Sequence, residues 1–319
     1  MEEFSGYLFI IGGICMFFWG MKYFSSGVGS IVGSKGIFTK NKKPLKKGGY
    51  YLVGVVTTAI IQSSDATTIL SMNMAKDKLV TKENALSIAL GARLGTTITA
   101  LIASLGKFQI SPIILSISLA VSLLLPKERK LAKESLLGLG LFFGGLTILD
   151  FGVDMVNGRL QVLFQGQSSF FLLFVMGLLI TAIFQSSSAV TSVLAILTAA
   201  NSIGIEKAIF VLLGATIGTT ATPLLASIKM DSVSKYIAVN YVLMTFLIGI
   251  VGFIICRIFV KPIVGLLSII PNTLQLAVFG IIYGFISSFC CLLLQTPLEK
   301  LFKGVFGKIK FCKNLFTKS

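Results

Sequence analysis

The 319-residue chain is 55% hydrophobic and 13% charged, with a mean hydropathy of +0.92 and a formal net charge of +16. A soluble domain of this length does not carry that apolar content, so the chain reads as an integral membrane protein; without alternating β-barrel patterning, the expected fold class is all-α and polytopic. No histidine is present and the five cysteines lack CxxC spacing, which removes histidine catalysis, zinc and a disulfide framework. Lys and Arg lie in short clusters between apolar segments, as loop charges that orient a membrane protein do, and no nucleic acid partner is expected.

The first apolar segment, Leu8–Phe24, follows Met1-Glu2-Glu3 and lacks a basic leader and a small-residue cleavage site, so it is expected to stay as a membrane helix. Lys35, Lys40, Lys42, Lys43, Lys46 and Lys47 mark the next loop as cytoplasmic and place the N-terminus outside. Tyr50–Ala75 is interrupted at Gln62-Ser63-Ser64-Asp65 and followed by Lys76, Lys78 and Lys82, so it starts and ends on one side. That pattern predicts a re-entrant helical hairpin whose polar tip faces the protein interior. Asn84–Ser104 crosses outward and Ile110–Leu125 returns to the basic run Lys127 to Lys133. Three crossings invert the second half relative to the first.

After a crossing at Leu136–Leu149, Asp154–Ser169 holds one Arg and no Lys and reads as an external loop. Leu160–Gly166 within it resembles an engineered viral-protease tag with Gln167 in place of proline, and a native loop accounts for it equally well. Phe170–Ala200 is the second hairpin, entering from outside with Gln185-Ser186-Ser187-Ser188. Ala208–Ser227 then crosses inward to Lys229 and Lys235, Tyr236–Ile255 goes out and leaves Arg257 and Lys261 outside, and Leu274–Leu294 returns to a basic tail. The expected division is repeat one at 1–130, inverted repeat two at 131–260, and a further helix with a cytoplasmic tail at 261–319, all in the cytoplasmic membrane.

The two interruptions are one motif written twice. A shift of about 123 residues pairs Gln62-Ser63-Ser64-Asp65-Ala66-Thr67-Thr68 with Gln185-Ser186-Ser187-Ser188-Ala189-Val190-Thr191. The same shift pairs Gly91-Ala92 with Gly214-Ala215 and Gly95-Thr96-Thr97 with Gly218-Thr219-Thr220. Hydroxyl and carbonyl oxygens suit Na⁺, a hard cation, whereas hydroxyl hydrogens and helix N-termini suit an oxyanion, and one tip can offer both. Single Ser or Thr residues in membrane helices usually only pack and hydrogen-bond, but the duplication favours a binding role. Gly140-Leu141-Phe142-Phe143-Gly144 fits GxxxG, which serves a homodimer contact or packing within one bundle. An intramembrane enzyme would need a nucleophile and base at one depth, and only serines with distant lysines are offered, so no enzyme is expected.

Two halves, each with Gln-Ser-Ser and then a glycine-bearing Gly-Thr-Thr segment, resemble the sodium-dependent phosphate cotransporter family, type II and its bacterial relatives, over roughly residues 5–255. The resemblance implies symport of inorganic phosphate with Na⁺ as the coupling ion and no other cofactor, by rocking or gating of one repeat against the other around a midplane site; another small oxyanion or a proton-coupled variant is the alternative. It implies a central site of Gln62, Ser63, Ser64, Thr67, Gly95, Thr96 and Thr97 with Gln185, Ser186, Ser187, Ser188, Thr191, Gly218, Thr219 and Thr220. Na⁺ would sit among Gln62, Ser63, Gln185, Ser186, Ser187 and Ser188. Asp65 stands where the family pattern has Ser, and Arg93 and Thr216 where Gly-Ala-Asn-Ile-Gly-Thr-Thr has Asn. Each of Asp65 and Arg93 is a lone charge in an apolar segment and is counted with the site; the expectation is that they pair.

Overall fold

The computed structural model describes residues 2–34, 45–105, 110–166 and 169–306, and among these every regular element is helical. The helices are α1 (Glu2–Ser34), α2 (Lys47–Ile61), α3 (Ser64–Lys76), α4 (Lys82–Leu105), α5 (Ile110–Leu124), α6 (Lys130–Gln165), α7 (Phe170–Phe184), α8 (Ser187–Ala199), α9 (Ile205–Gly218), α10 (Ala221–Ser227), α11 (Ser232–Leu267) and α12 (Asn272–Phe306). Among the described residues, five stretches are long and apolar enough to cross a membrane: Glu3–Ser30, Lys130–Gln165, Ile205–Ser227, Ser232–Leu267 and Asn272–Lys303. Lys35, Lys40, Lys42, Lys43 and the tail beyond residue 306 lie outside the described residues.

Hydropathy underestimates the helices, because a helix need not end where its apolar run does. The expected external loop at 154–169 is largely the end of α6, which runs through Leu160 to Gln165. No proline interrupts this stretch, and Lys207 Nζ donates to the Phe164 carbonyl at 2.6 Å and the Gln165 carbonyl at 3.4 Å. A cation there satisfies carbonyls that a helix terminus leaves unpaired and suits its negative dipole end. α11 likewise continues past Ile255 to Leu267, with a kink at Phe259 (φ −106°, ψ 19°) three residues before Pro262. The expected boundary at residue 260 therefore falls inside a helix.

α1 and α6 pack antiparallel along their lengths through glycine. A Cβ on Gly6, Gly13 or Gly20 would meet the carbonyl oxygen of Gly152, Gly145 or Gly138, at 3.3, 2.9 and 2.7 Å. These glycines recur every seventh residue, about two turns, so all lie on one face. Backbone meets backbone there, as small residues permit where no hydrophobic force separates helix from lipid.

A second glycine device appears twice. A Cβ on Gly54 would lie 2.0 Å from Ile88 O and one on Gly91 2.0 Å from Tyr51 O, so α2 and α4 almost touch; further along both helices a Cβ on Gly95 would lie 2.6 Å from Thr58 Cβ, so they run parallel. The equivalents are Gly177 against Val211 O at 2.0 Å and Gly214 against Phe174 O at 1.9 Å, and Gly218 against Thr181 Cβ at 2.8 Å further along shows that α7 runs parallel to α9. Since α2 and α4 run the same way, α3 between them must run back, and α8 does so between α7 and α9.

The two breaks are approached from opposite ends of the molecule. At one end, Glu3 pairs with Arg159 at 3.0 Å, Asn157 donates to Ala200 O at 2.9 Å, and Asn272 donates to Asn201 at 3.1 Å. α7 starts and α8 finishes there. At the other end, Gln295 donates to Glu83 O at 2.9 Å and Lys82 lies 4.8 Å from the Tyr236 ring, near the starts of α4 and α11. The halves interlock rather than sit side by side, because α4 packs on α8, α11 and α12. One apolar core gathers around α6 to α9, and a second joins α2 to α4 with α11 and α12.

Candidate functional site

Each break is built by an amide followed by a serine. Gln62 (φ 59°) and Gln185 (φ 55°) end α2 and α7 in the left-handed region, their N–H groups donating to Thr58 O and Thr181 O at 2.7 Å. A non-glycine residue in that region is strained, and such strain collects at functional sites. Ser63 and Ser186 return to extended backbone, and each hydroxyl accepts the N–H three residues on, Ala66 at 3.2 Å and Ala189 at 3.3 Å. That is N-capping, which is why α3 and α8 start where they do.

Both helix N-termini thereby reach one cavity of about 800 Å³. Its wall contains Gln62, Ser63, Ser64 and Asp65 from one break and Gln185, Ser186, Ser187 and Ser188 from the other, with Thr219. The tips are braced: Gln62 Oε1 accepts from Thr99 Oγ1 and Gln62 Nε2 donates to Ala59 O, both at 2.5 Å, while Ser188 Oγ donates to Met21 Sδ at 3.2 Å. A smaller cavity of about 50 Å³ takes Arg93, Thr96, Thr97 and Thr191, and Ser187 belongs to both walls. Thr216, at the position equivalent to Arg93 minus its charge, also lines the smaller one.

Four expected site residues face elsewhere. Thr67 is buried, taking a hydrogen bond from Thr58 at 2.9 Å and donating to Ser63 O at 3.1 Å. Gly95 and Gly218 press on α2 and α7, where a Cβ would stand 2.6 Å from Val55 O and 2.4 Å from Leu178 O. Thr220 Oγ1 donates to Ile217 O at 2.8 Å. These residues hold the tips in place without reaching the larger cavity.

The expected Asp65–Arg93 pair does not form. Arg93, 8% exposed in the middle of α4, directs Nη1 to Thr245 Oγ1 of α11 at 3.2 Å. Asp65 is in the first turn of α3 beside Thr222 of α10, and its Oδ1 is buried with no hydrogen-bond partner. The two charges face different neighbours, and each finds its own compensation: Arg93 a hydroxyl, Asp65 the positive end of a helix.

The second half also departs from the first at its Gly-Thr-Thr segment. α4 runs unbroken through Gly95-Thr96-Thr97, but α9 stops at Gly218 and α10 restarts at Ala221. Pro223 explains the difference, since it has no N–H for the Thr219 carbonyl and its ring crowds that turn; Ala100 occupies the matching place in α4. The break turns Thr219 toward the cavity.

One wall was not expected from the motifs. The second half of α1 presents Phe18, Met21, Lys22, Ser25, Ser26 and Ser30 to the cavity. Their spacing of three and four residues is a helical stripe, opposite the glycine face, and that periodicity is the signal that could have found them. Among the described residues, Lys22 and Asp65 are the ionisable ones on the cavity wall.

The sequence matches the profile of the Na⁺/Pi-cotransporter family over residues 16–150 and 154–267. Among curated relatives, a protein of Salmonella typhimurium named putative inorganic phosphate export protein YjbB is 25% identical over 316 residues, covering 97% of this chain and 55% of its own length. Its Escherichia coli K12 namesake is 26% identical over 307 residues, again 55% of its own length. The uncharacterized protein YqeW of Bacillus subtilis is 26% identical over 306 residues, 91% of this chain and 93% of its own length. The chain thus spans about half the length of the YjbB proteins and nearly all of YqeW. No solved structure matches it. With a profile match through both halves and five helices fit to cross a bilayer, the chain is a multi-pass membrane protein and belongs to the Na⁺/Pi-cotransporter family.

Proposed function

We propose that the chain is a secondary active transporter of the cytoplasmic membrane that moves inorganic phosphate together with Na⁺ by alternating access. The observation that carries this reading is the convergence of both Gln-Ser-Ser breaks on one cavity of about 800 Å³. Two helix N-termini aimed at one space favour an anion there. Serine and amide oxygens on the same wall, with the Asp65 carboxylate, suit a hard cation. Family membership points to phosphate, and the YjbB relatives are named for phosphate export, so flux in either direction is consistent with it.

In this reading α2–α3 and α7–α8 are re-entrant hairpins of two inverted halves. The antiparallel α1 and α6, the glycine contacts repeated at equivalent places, and the approach of the breaks from opposite ends support it. Lysines beside the starts of α2 and α4 put that end in the cytoplasm by the positive-inside rule. A second reading, coupling to protons, rests on the buried Asp65 oxygen without a partner.

Purified protein in liposomes loaded with labelled phosphate, under an imposed Na⁺ gradient, an imposed proton gradient or neither, separates these readings. Flux that follows the Na⁺ gradient is the expected result. Flux that follows only the proton gradient selects the second reading, and flux of sulfate in place of phosphate moves the substrate to another oxyanion.

A further inference from the structure

We propose that Lys22 is an anion-contacting residue of the cavity, supplying from α1 the positive charge that the two helix breaks lack. This rests on the reading of the cavity as an oxyanion site and adds a residue from outside both motifs.

Lys22 lies eight residues before the end of the Glu3–Ser30 span, about 12 Å along the helix axis. A lysine so deep in a span is costly unless a partner or water receives it. Among the described residues no carboxylate pairs with it. It belongs instead to the cavity wall, in the centre of the stripe Phe18, Met21, Ser25, Ser26 and Ser30. The glycine face of the same helix is committed to α6, so the stripe and its charge are held toward the cavity.

Arg93 does not fill this role. It is nearly enclosed, bonded to Thr245, and belongs to the small cavity behind Ser187. The tips themselves offer only neutral donors: capping engages the Ser63 and Ser186 hydroxyls as acceptors, and the O–H groups that remain carry no charge. A doubly charged oxyanion resting on the tips would face α1, where Lys22 supplies the cation, while the Asp65 carboxylate on the same cavity wall would serve a coupling ion. The α6 position equivalent to Lys22, taking Gly20 with Gly145, is Thr147, so the charge is not duplicated. The anion would therefore be held off the axis relating the halves, nearer α1.

The test is phosphate binding and flux by the purified full chain. Lys22→Gln should raise the half-saturating phosphate concentration about tenfold, as loss of one charge-assisted contact implies, with the maximal rate retained. Lys22→Arg should restore it. Lys22→Cys should regain affinity after reaction with an aminoethyl thiosulfonate and not with the sulfonatoethyl reagent, each read against the similarly treated parent. Unchanged half-saturation in Lys22→Gln, or equal rescue by both reagents, would overturn the proposal while the transport reading stands. A parent that binds neither phosphate nor sulfate would end both.

Discussion

Gly91→Ala tests whether the parallel pairing of α2 with α4 sets the position of the Gln62 tip. The added Cβ would lie 2.0 Å from the Tyr51 carbonyl oxygen, against 3.4 Å or more for an ordinary contact, and the obstacle is backbone that cannot rotate away. The helices would have to part by more than an ångström. Overpacking of this kind costs about 1–3 kcal/mol, and the better helix propensity of alanine returns at most about 1 kcal/mol. The net loss should lower the melting temperature by several degrees, at about 2–4 °C per kcal/mol for chains of this order of size. It should also reduce phosphate flux, because Gln62 is tied to Thr99 of α4. Gly214→Ala, 1.9 Å from Phe174 O, should behave alike. Gly158→Ala and Gly265→Ala, with nothing within 4 Å, should be neutral or mildly stabilising. Unfolding can be followed in detergent with a thiol-reactive dye that reports exposure of the buried Cys256 and Cys291. A Gly91→Ala protein that melts and transports like the parent would refute the reasoning.

Ser63→Ala and Ser186→Ala should each cost about 1 kcal/mol through a lost N-cap and lower flux without preventing membrane insertion, whereas Asn at either position should retain the stability; equal stability of the Ala and Asn variants would deny the capping role. Because Asp65 and Arg93 do not touch, the effects of Asp65→Ser and Arg93→Asn on stability should add within about 0.5 kcal/mol, and mutual rescue in the double variant would show a contact in some state of the protein. Pro223→Ala should let α9 and α10 join as α4 does, withdrawing Thr219 from the cavity, with stability kept and phosphate affinity lowered; unchanged affinity would remove Thr219 from the site. With Cys15 replaced by Ser, a cysteine at Gly158 should label from outside the cell and one at Lys229 should not, and the opposite pattern would end the inverted reading.

The breaks were legible because an amide and consecutive serines interrupt an otherwise apolar run, and serine is a natural helix start; Ser63 and Ser186 cap where the motif placed them. Their duplication pointed to a binding role and the family resemblance implied one central site; both tips line one cavity. Helix ends were less legible, since hydropathy reports burial in lipid and not backbone hydrogen bonding, so α6 and α11 outran their apolar windows. Pairing across helices was not legible either. Nothing local in the sequence tells that Arg93 turns toward Thr245 and Asp65 toward Thr222, because that depends on how α4, α10 and α11 are rotated when packed. The break between α9 and α10 was not read, since Ala208–Ser227 was expected as one crossing, and neither was the cavity stripe of α1; Pro223 and the period of the stripe are the signals for them, faint beside the motif itself.

The glycine contacts that join α1 to α6 between Gly6 and Gly20 are made by groups that neither gain nor lose protons and do not attract counterions; the Glu3–Arg159 pair lies at the end of this seam. Changes of salt or ion gradient across the membrane therefore leave those contacts alone, while Lys22 and Asp65 place their charges on the cavity wall, where ions entering it are felt. The molecule thus sets an uncharged glycine seam apart from a charged cavity lining. A protein that works with different solutions on its two faces can then change what it holds without loosening what holds it together.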